Sequence, residues 1–312
     1  MNKILITGGT GLVGGRLAKR LSMDYEVYIS SRKGLDNNKL RLYGNVTGVT
    51  HQSLLKQSEF PEVDIVIHMA SLNERDVVEH PSEAIRVNID ETRIIVENSV
   101  AKKIPHFYYF STAHIYGSPL TGIITEDTLP RPVHPYSITH RAAEDYVLAA
   151  AARNLINATV LRLSNSFGAP VSSEVNRWTL LVNDLCRQAA EKGKMNLNSN
   201  GCQYRDFICL TDVENIMAEM LRRSQPLRNS IYNLGSGVSI RVIDMAMIIE
   251  RLCTSVLREK IPIELPPDVV ESTEPSFEYS IGRLMQEGFQ VKNDIDQEVT
   301  RLLQYCAEHF SK

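Results

Sequence analysis

The 312-residue chain has no apolar run that approaches the roughly 20 residues a helix needs to cross a bilayer. It also lacks an excess of one charge: 34 Lys and Arg stand against 37 Asp and Glu, a net of -3. That balance gives no reason to expect nucleic acid or an acidic membrane surface as a partner. The five cysteines (Cys186, Cys202, Cys209, Cys253, Cys306) are odd in number and show no C-x-x-C. The eight histidines show no ligand spacing with them. Neither a metal site nor a disulfide framework is expected, and the cysteines read as reduced thiols of a cytoplasmic protein. Internal repeats and low-complexity linkers are missing too. A strand signal already begins at Lys3, so no signal peptide is expected.

What the chain does have stands at its start, Lys3-Ile-Leu-Ile-Thr-Gly-Gly-Thr-Gly-Leu-Val-Gly-Gly15. An apolar strand runs into Gly8, Gly11 and Gly14, spaced G-x-x-G-x-x-G. An amphipathic helix follows at once, with Leu12, Val13, Leu17 and Leu21 on its apolar face. Glycines let the backbone turn tightly and approach a ligand. A helix N-terminus presents free N–H groups to negative charge. Strand, glycine turn and helix in this order suit a pyrophosphate, and the plain alternative is a glycine turn without a ligand.

Strand and helix signals alternate through the first half. Strands are expected at Lys3–Ile6, Glu26–Ser30, Ile65–His68, His106–Phe110 and Thr159–Leu163. Helices are expected near Leu12–Ser22, Glu83–Ala101 and Tyr136–Arg153. Continuous apolar runs such as Ile65-Val-Ile67 suit a parallel sheet covered on both faces. The chain therefore reads as α/β, a doubly wound Rossmann parallel sheet. After Leu163 the pattern becomes irregular, with one helix expected at Thr179–Lys192. From Val238 onward it reads as short helices broken by Pro262, Pro266, Pro267 and Pro275. We expect residues 1–163 and 207–234 to form the dinucleotide-binding domain. Residues 164–206 and 235–312 are expected to form a smaller, interleaved substrate-binding part.

The second strand ends Glu26-Val-Tyr-Ile-Ser-Ser-Arg-Lys33. An acidic residue there would hydrogen-bond the ribose 2′-hydroxyl of NAD, whereas cations accommodate the 2′-phosphate of NADP. Ser31, Arg32 and Lys33 occupy this position, and a hydroxyl with a guanidinium fork suits phosphate. NADP is the expected cofactor, ahead of NAD.

Further along stand Phe110-Ser-Thr-Ala-His-Ile-Tyr-Gly117, ending a strand, and Pro135-Tyr-Ser-Ile-Thr-His140, opening a helix. With the glycine loop, these segments resemble the extended short-chain dehydrogenase/reductase family of nucleotide-sugar epimerases, dehydratases and reductases. The resemblance spans nearly the whole chain. His68-Met-Ala70 is similar to the family's H-x-A beside the cofactor, which brings in Met69 and Ala70. Asn88 matches an asparagine of the next helix. Leu161-Arg-Leu-Ser-Asn-Ser-Phe-Gly168, Arg205-Asp-Phe207 with Asp212-Val213, and Tyr232-Asn-Leu-Gly-Ser-Gly237 resemble three further family segments.

The resemblance implies that Tyr136 is the acid/base at a sugar oxygen and that Thr112 holds the same oxygen. It implies Asn165 and Arg205 as binders of a nucleoside diphosphate. It also implies a homodimer through the helices Glu83–Ala101 and Tyr136–Ala152, with the small apolar run Val147–Ala152 at the contact. Trp178 and Tyr204 suit either stacking on a base or packing. Two departures stand out. His140 replaces the family lysine that supplies a permanent charge beside the tyrosine, and histidine is mostly neutral at pH 7. Arg141 lies about 100° further round the helix. Ala113-His114 replaces the Asp-Glu pair of the dehydratases, so water elimination is not expected. Reduction of a 4-keto nucleotide-sugar with NADPH leads. A nucleotide-sugar epimerase with tightly held cofactor is the alternative, and a non-catalytic dinucleotide-binding regulator is the third reading.

Overall fold

The computed structural model describes residues 2–32, 34–267 and 275–311. Seven parallel strands form the main sheet: β1 (Lys3–Thr7), β2 (Glu26–Ser31), β3 (Val46–Thr50), β4 (Ile65–His68), β5 (His106–Thr112), β6 (Asn157–Leu163) and β7 (Ile231–Leu234). Their order is β7-β6-β5-β4-β1-β2-β3. The longer helices are α1 (Leu12–Leu21), α2 (Glu91–Ala101), α3 (Pro135–Ala152), α4 (Leu181–Lys192), α5 (Leu210–Arg222), α6 (Val242–Val256) and α7 (Ile295–Phe310). Strand order reverses between β1 and β4, so a crevice opens at the carboxyl ends of these strands.

The apolar runs explain the sheet. Ile4, Leu5 and Ile6 are fully buried, as are Val66 and Ile67, because helices cover both faces. The α1 helix presents Leu17, Ala18 and Leu21 to one apolar cluster, while α2 and α3 cover the opposite face through Ile95, Val96, Ala143 and Val147. Strand β3 is an addition to the sequence reading. Its Val-Thr-Gly-Val-Thr run is at an edge and largely exposed, so it carries no continuous apolar signal.

A second apolar cluster brings α4, α6 and α7 together around Cys186, Met245 and Leu302. The expectation of only short helices after Val238 is corrected here: α6 has 15 residues and α7 has 16. Pro262, Pro266, Pro267 and Pro275 all fall in the connection between the two, so they interrupt neither. Arg16 on α1 joins the two clusters. It pairs with Glu214 of α5 at 2.6 Å and Glu298 of α7 at 3.1 Å, and donates to Ala169 O at 3.1 Å.

The α3 helix starts on a local cap. Pro135 occupies its first turn, His134 Nδ1 accepts from Tyr136 N at 3.2 Å, and Ser137 Oγ donates to His134 O at 2.9 Å. Its placement on the sheet is set by a buried ion pair. Arg162 of β6 is 1% exposed and Glu144 of α3 is fully buried. The guanidinium donates to both carboxylate oxygens, at 3.1 and 2.9 Å, and also to Tyr116 Oη at 2.8 Å. Tyr116 in turn donates to Asn233 Oδ1 of β7 at 2.7 Å, and Tyr279 donates to Arg162 O at 2.7 Å.

Removing Glu144 leaves Arg162 a buried charge without its counterpart, and removing Arg162 leaves buried Glu144 only the partly exposed Arg141. Glu144→Gln or Arg162→Met alone should each cost about 3–5 kcal/mol of stability, and an apolar replacement of both should cost less than the worse single change. Urea unfolding of the three variants checks this. Single variants within about 0.5 kcal/mol of the unmodified protein would remove the pair from this role.

Candidate active site

A cavity of about 520 Å³ lies at the carboxyl ends of β1, β2, β4 and β5, within the range of small-molecule sites. Its floor is the turn after β1. Gly8 takes φ +68°, and a Cβ on Gly14 would stand 2.4 Å from Gly8 O, so a side chain at either position would deform the cradle. Gly11, Leu12 and Val13 complete this wall.

At the end of β4, Thr7 Oγ1 accepts from Met69 N and Ala70 N, both at 3.1 Å. Its one hydrogen is then left for His68 Nδ1 at 2.6 Å, so that nitrogen accepts. His68 Nε2–H faces Thr92 Oγ1 at 2.8 Å, and Thr92 donates onward to Asn88 O at 2.8 Å. This chain defines a neutral His68 and fixes the loop bearing Met69 and Ala70 against the cavity.

Thr112, Tyr136 and His140 meet at the far wall. Thr112 Oγ1 accepts from His114 N at 3.2 Å. The His140 ring lies edge-on to the Tyr136 ring, with centroids 4.4 Å apart, and its Nδ1 pairs with Tyr109 Oη at 2.8 Å. Burial pushes the Tyr136 phenol well above the ordinary tyrosine range, so it is protonated at neutral pH. Burial also lowers His140 to about 4, so its ring is neutral.

Three polar atoms test whether a dinucleotide fits. Ser30 Oγ, Ser111 Oγ and His140 Nε2 are buried with no hydrogen-bond partner, and all three residues line this cavity. Unpaired buried polar atoms cost free energy, so their convergence on one cavity beside a glycine cradle fits a polar ligand lying along it.

Ser31 and Arg32 line the β2 end of the cavity. Arg32 is 4.0 Å from Glu83, both exposed, while Lys33 lies outside the described residues. Asn165 also lines the cavity and donates to Asp206 O at 3.0 Å. Asn88 does not line it. Its side chain accepts from Leu72 N at 2.7 Å and donates to Thr139 Oγ1 at 3.0 Å, so it braces the wall from behind. Arg205 lies outside the lining as well, and its guanidinium donates to Tyr204 O at 2.7 Å.

The neighbouring Asp206 accepts from Ser164 Oγ, from Ser236 N and Oγ, and from Gly237 N, so it staples the turn after β7. Asp212 accepts from Lys292 N and Asn293 N. Trp178 stacks with Tyr305 and packs edge-on to Phe310 within the second core, and Tyr204 packs against the cluster of Tyr116 and Tyr279. Arg141 pairs with Glu144 and Asp145 on its own helix. Among the cavity residues that escaped the sequence reading are Glu74, six residues past β4, and Arg177, before α4. The only available signal was topological, because segments just beyond the carboxyl ends of parallel strands face the crevice.

His68 and His140 make stability depend on pH. Burial takes them from an ordinary 6.5 to about 3 and about 4. The unfolded chain then binds more protons than the folded one between these values. Stability is full above about 6.5 and declines as pH falls towards 4, by roughly 1 kcal/mol per pH unit for each histidine. His140→Gln should shed about half of that slope between pH 6.5 and 5 in denaturant titrations. An unchanged slope would contradict the buried neutral assignment.

Comparison with known proteins agrees with this geometry. The NAD dependent epimerase/dehydratase family matches residues 4–235. The dTDP-D-glucose 4,6-dehydratase of Homo sapiens is 25% identical over 260 residues, covering 78% of this chain and 72% of that protein. The dTDP-L-rhamnose 4-epimerase of Burkholderia thailandensis is 27% identical over 302 residues, covering 79% and 80%. The fold is shared with UDP-glucuronic acid 4-epimerase from Bacillus cereus, solved with UDP-glucuronic acid and NAD, at a TM-score of 0.81 and 19% identity over 98% of this chain and 99% of that one. With its glycine cradle and the Thr112, Tyr136 and His140 wall, the chain belongs to the NAD dependent epimerase/dehydratase family.

Proposed function

We propose that this enzyme reduces a 4-keto nucleotide-sugar with NADPH. The carrying observation is that the Tyr136 phenol and Thr112 share one cavity with three unpartnered polar atoms and the glycine cradle. When bound, the reduced nicotinamide supplies a hydride to the carbonyl carbon. This chain's residues manage the oxygen. Thr112 Oγ1 orients it by a hydrogen bond, and Tyr136 delivers the phenolic proton that turns the growing alkoxide into an alcohol. A phenol held protonated by burial suits that acid role. His140 Nε2, unpartnered at the cavity wall, would hold the cofactor's ribose as an uncharged hydrogen-bonding group. Ala113 and His114 stand where dehydration would need two carboxylates, which argues against water elimination despite the similarity to dehydratases.

The preference for NADP rests on Ser31 and Arg32 at the cavity edge. A second reading, epimerisation through a transient keto sugar, draws support from the 4-epimerases among the relatives. The reading includes a cytoplasmic homodimer. Free thiols at all five cysteines suit a reducing compartment. Of the Val147–Ala152 run, Val147 and Ala150 point inward, leaving Ile138 and Tyr146, 48% and 45% exposed, to carry the apolar contact on α3.

Incubation with NADPH and a 4-keto nucleotide-sugar should consume cofactor and form alcohol in equal amounts. Interconversion of two sugars without net cofactor consumption would replace reduction by epimerisation. Bound cofactor without turnover of any sugar nucleotide would favour the regulator. Tyr136→Phe should lower turnover by about 10²–10⁴-fold and leave cofactor affinity nearly unchanged. Calorimetry should show tighter binding of NADPH than NADH. Arg32→Ala with Lys33→Ala should remove that preference, since each charged hydrogen bond contributes about 1.5–3 kcal/mol. Equal affinities in the unmodified protein would overturn the NADP assignment. Light scattering should give twice the 35.1 kDa chain mass, and a monomer at micromolar concentration would contradict the dimer.

A further inference from the structure

The segment between Phe167 and α4 has fixed ends and a middle held by side chains. At one end the buried Asn183 amide of α4 donates to Gly168 O at 2.8 Å and accepts from Gly168 N at 3.3 Å. At the other, Trp178 packs edge-on to Phe310 of α7. Between them, residues 171–177 are neither strand nor helix. The N–H groups of Glu174, Val175 and Arg177 bond to Ser172 and Val175, inside the segment itself.

The side chains reach three different connections. Glu174 pairs with Lys39 Nζ, which follows β2, at 2.8 and 2.7 Å. Val175 packs with Leu12 at the start of α1 and Leu210 at the start of α5. Arg177 Nη1 donates to Glu74 Oε2, which follows β4, at 3.0 Å. In the sheet β1 lies between β2 and β4. The contacts therefore succeed one another across the carboxyl ends of β2, β1 and β4, where an α/β fold binds a dinucleotide. Lys39, Glu174, Val175, Leu12, Glu74 and Arg177 all line the cavity.

We propose that residues 172–177 are a strap closed across the cavity, and that cofactor exchange requires both ion pairs and the Val175 contact to open. The inference rests on the dinucleotide reading only for what passes beneath the strap. The hold is weak enough to release. Lys39 and Glu174 are 55% and 66% exposed, and an ion pair so open to water contributes little. Arg177 and Glu74 are also partly solvated. Val175 is buried, but it is a single small apolar side chain. Such a segment opens locally while the sheet beneath it stays folded. That suits a reductase, which sheds spent cofactor in every turnover, better than an enzyme that keeps one cofactor throughout.

Stopped-flow fluorescence of NADPH binding to the full-length protein tests the strap. Loosening a strap that covers free and loaded protein alike raises association and dissociation rates together and leaves affinity nearly unchanged. Glu174→Gln should raise both rates about two- to fivefold, the range of an exposed ion pair. Val175→Ala, which alters no charge, should raise both at least as much. Loss of a direct cofactor contact would instead raise dissociation alone. Loss of a repelling charge would speed association and slow dissociation. Either of those patterns, or unchanged rates, in either variant overturns the proposal. Hydrogen exchange at the amides of positions 175 and 177 in the cofactor-free protein is the second measurement. Both variants should speed it severalfold, and unchanged exchange overturns the proposal. If neither NADPH nor NADH binds, the dinucleotide reading falls, and the exchange result alone decides whether the segment is a releasable strap. Faster rates in the variants of a protein that reduces no sugar nucleotide would sink the reductase reading and leave this inference standing.

Discussion

The buried pair of Arg162 and Glu144 fixes the register between α3 and the sheet, and the site depends on that register. Tyr136 and His140 sit in the first turns of α3, one turn apart, while Glu144 sits one turn further in. The bidentate contact holds the helix against β6, with Tyr116, Asn233 and Tyr279 tying the same guanidinium strand to the end of β5 and to β7. Thr112 at the end of β5 and Tyr136 thereby line one cavity. A pair of charges in the interior contributes little net stability, but breaking it is expensive, and that makes it a device for holding one arrangement.

A second constraint acts at the cavity itself. The neutral state of His68 is imposed by burial, and its tautomer by Thr7, whose single hydroxyl hydrogen is committed to Nδ1 while its oxygen accepts from two backbone N–H groups. The neutral state of His140 is imposed by burial. The wall beside the glycine cradle is therefore polar, and its charged groups, the Arg177–Glu74 pair and Asp76 among them, are not these histidines. Glu74 and Arg177, which pair at 3.0 Å, are contributed by loops, where α/β folds commonly place their chemistry.

Much of this was legible in the sequence. The glycine loop, β1, β4, β5 and α3 follow from apolar runs, helical periodicity and local caps, all of which act within a few residues. The parts that were not legible have physical reasons. The β3 strand is an exposed edge with a glycine in its middle, so neither burial nor propensity marks it. The α6 and α7 helices were obscured by prolines that lie between them. Asn88 matched a family position, yet its amide is spent on Leu72 and Thr139, because a motif match records a place in the fold and not the atom it faces. Arg177 and Glu74 come from segments that only the folded topology brings together.

The central claim is that the cavity receives a nicotinamide dinucleotide with its pyrophosphate on the glycine turn and its ribose at His140. A crystal structure of the protein grown with NADPH tests it most directly. The account predicts a diphosphate over Gly11 to Gly14, a ribose hydroxyl within hydrogen-bonding distance of His140 Nε2, and the nicotinamide ring between Tyr136 and the end of β4. A dinucleotide bound elsewhere, or one bound in the cavity with His140 Nε2 still unpartnered, would contradict it.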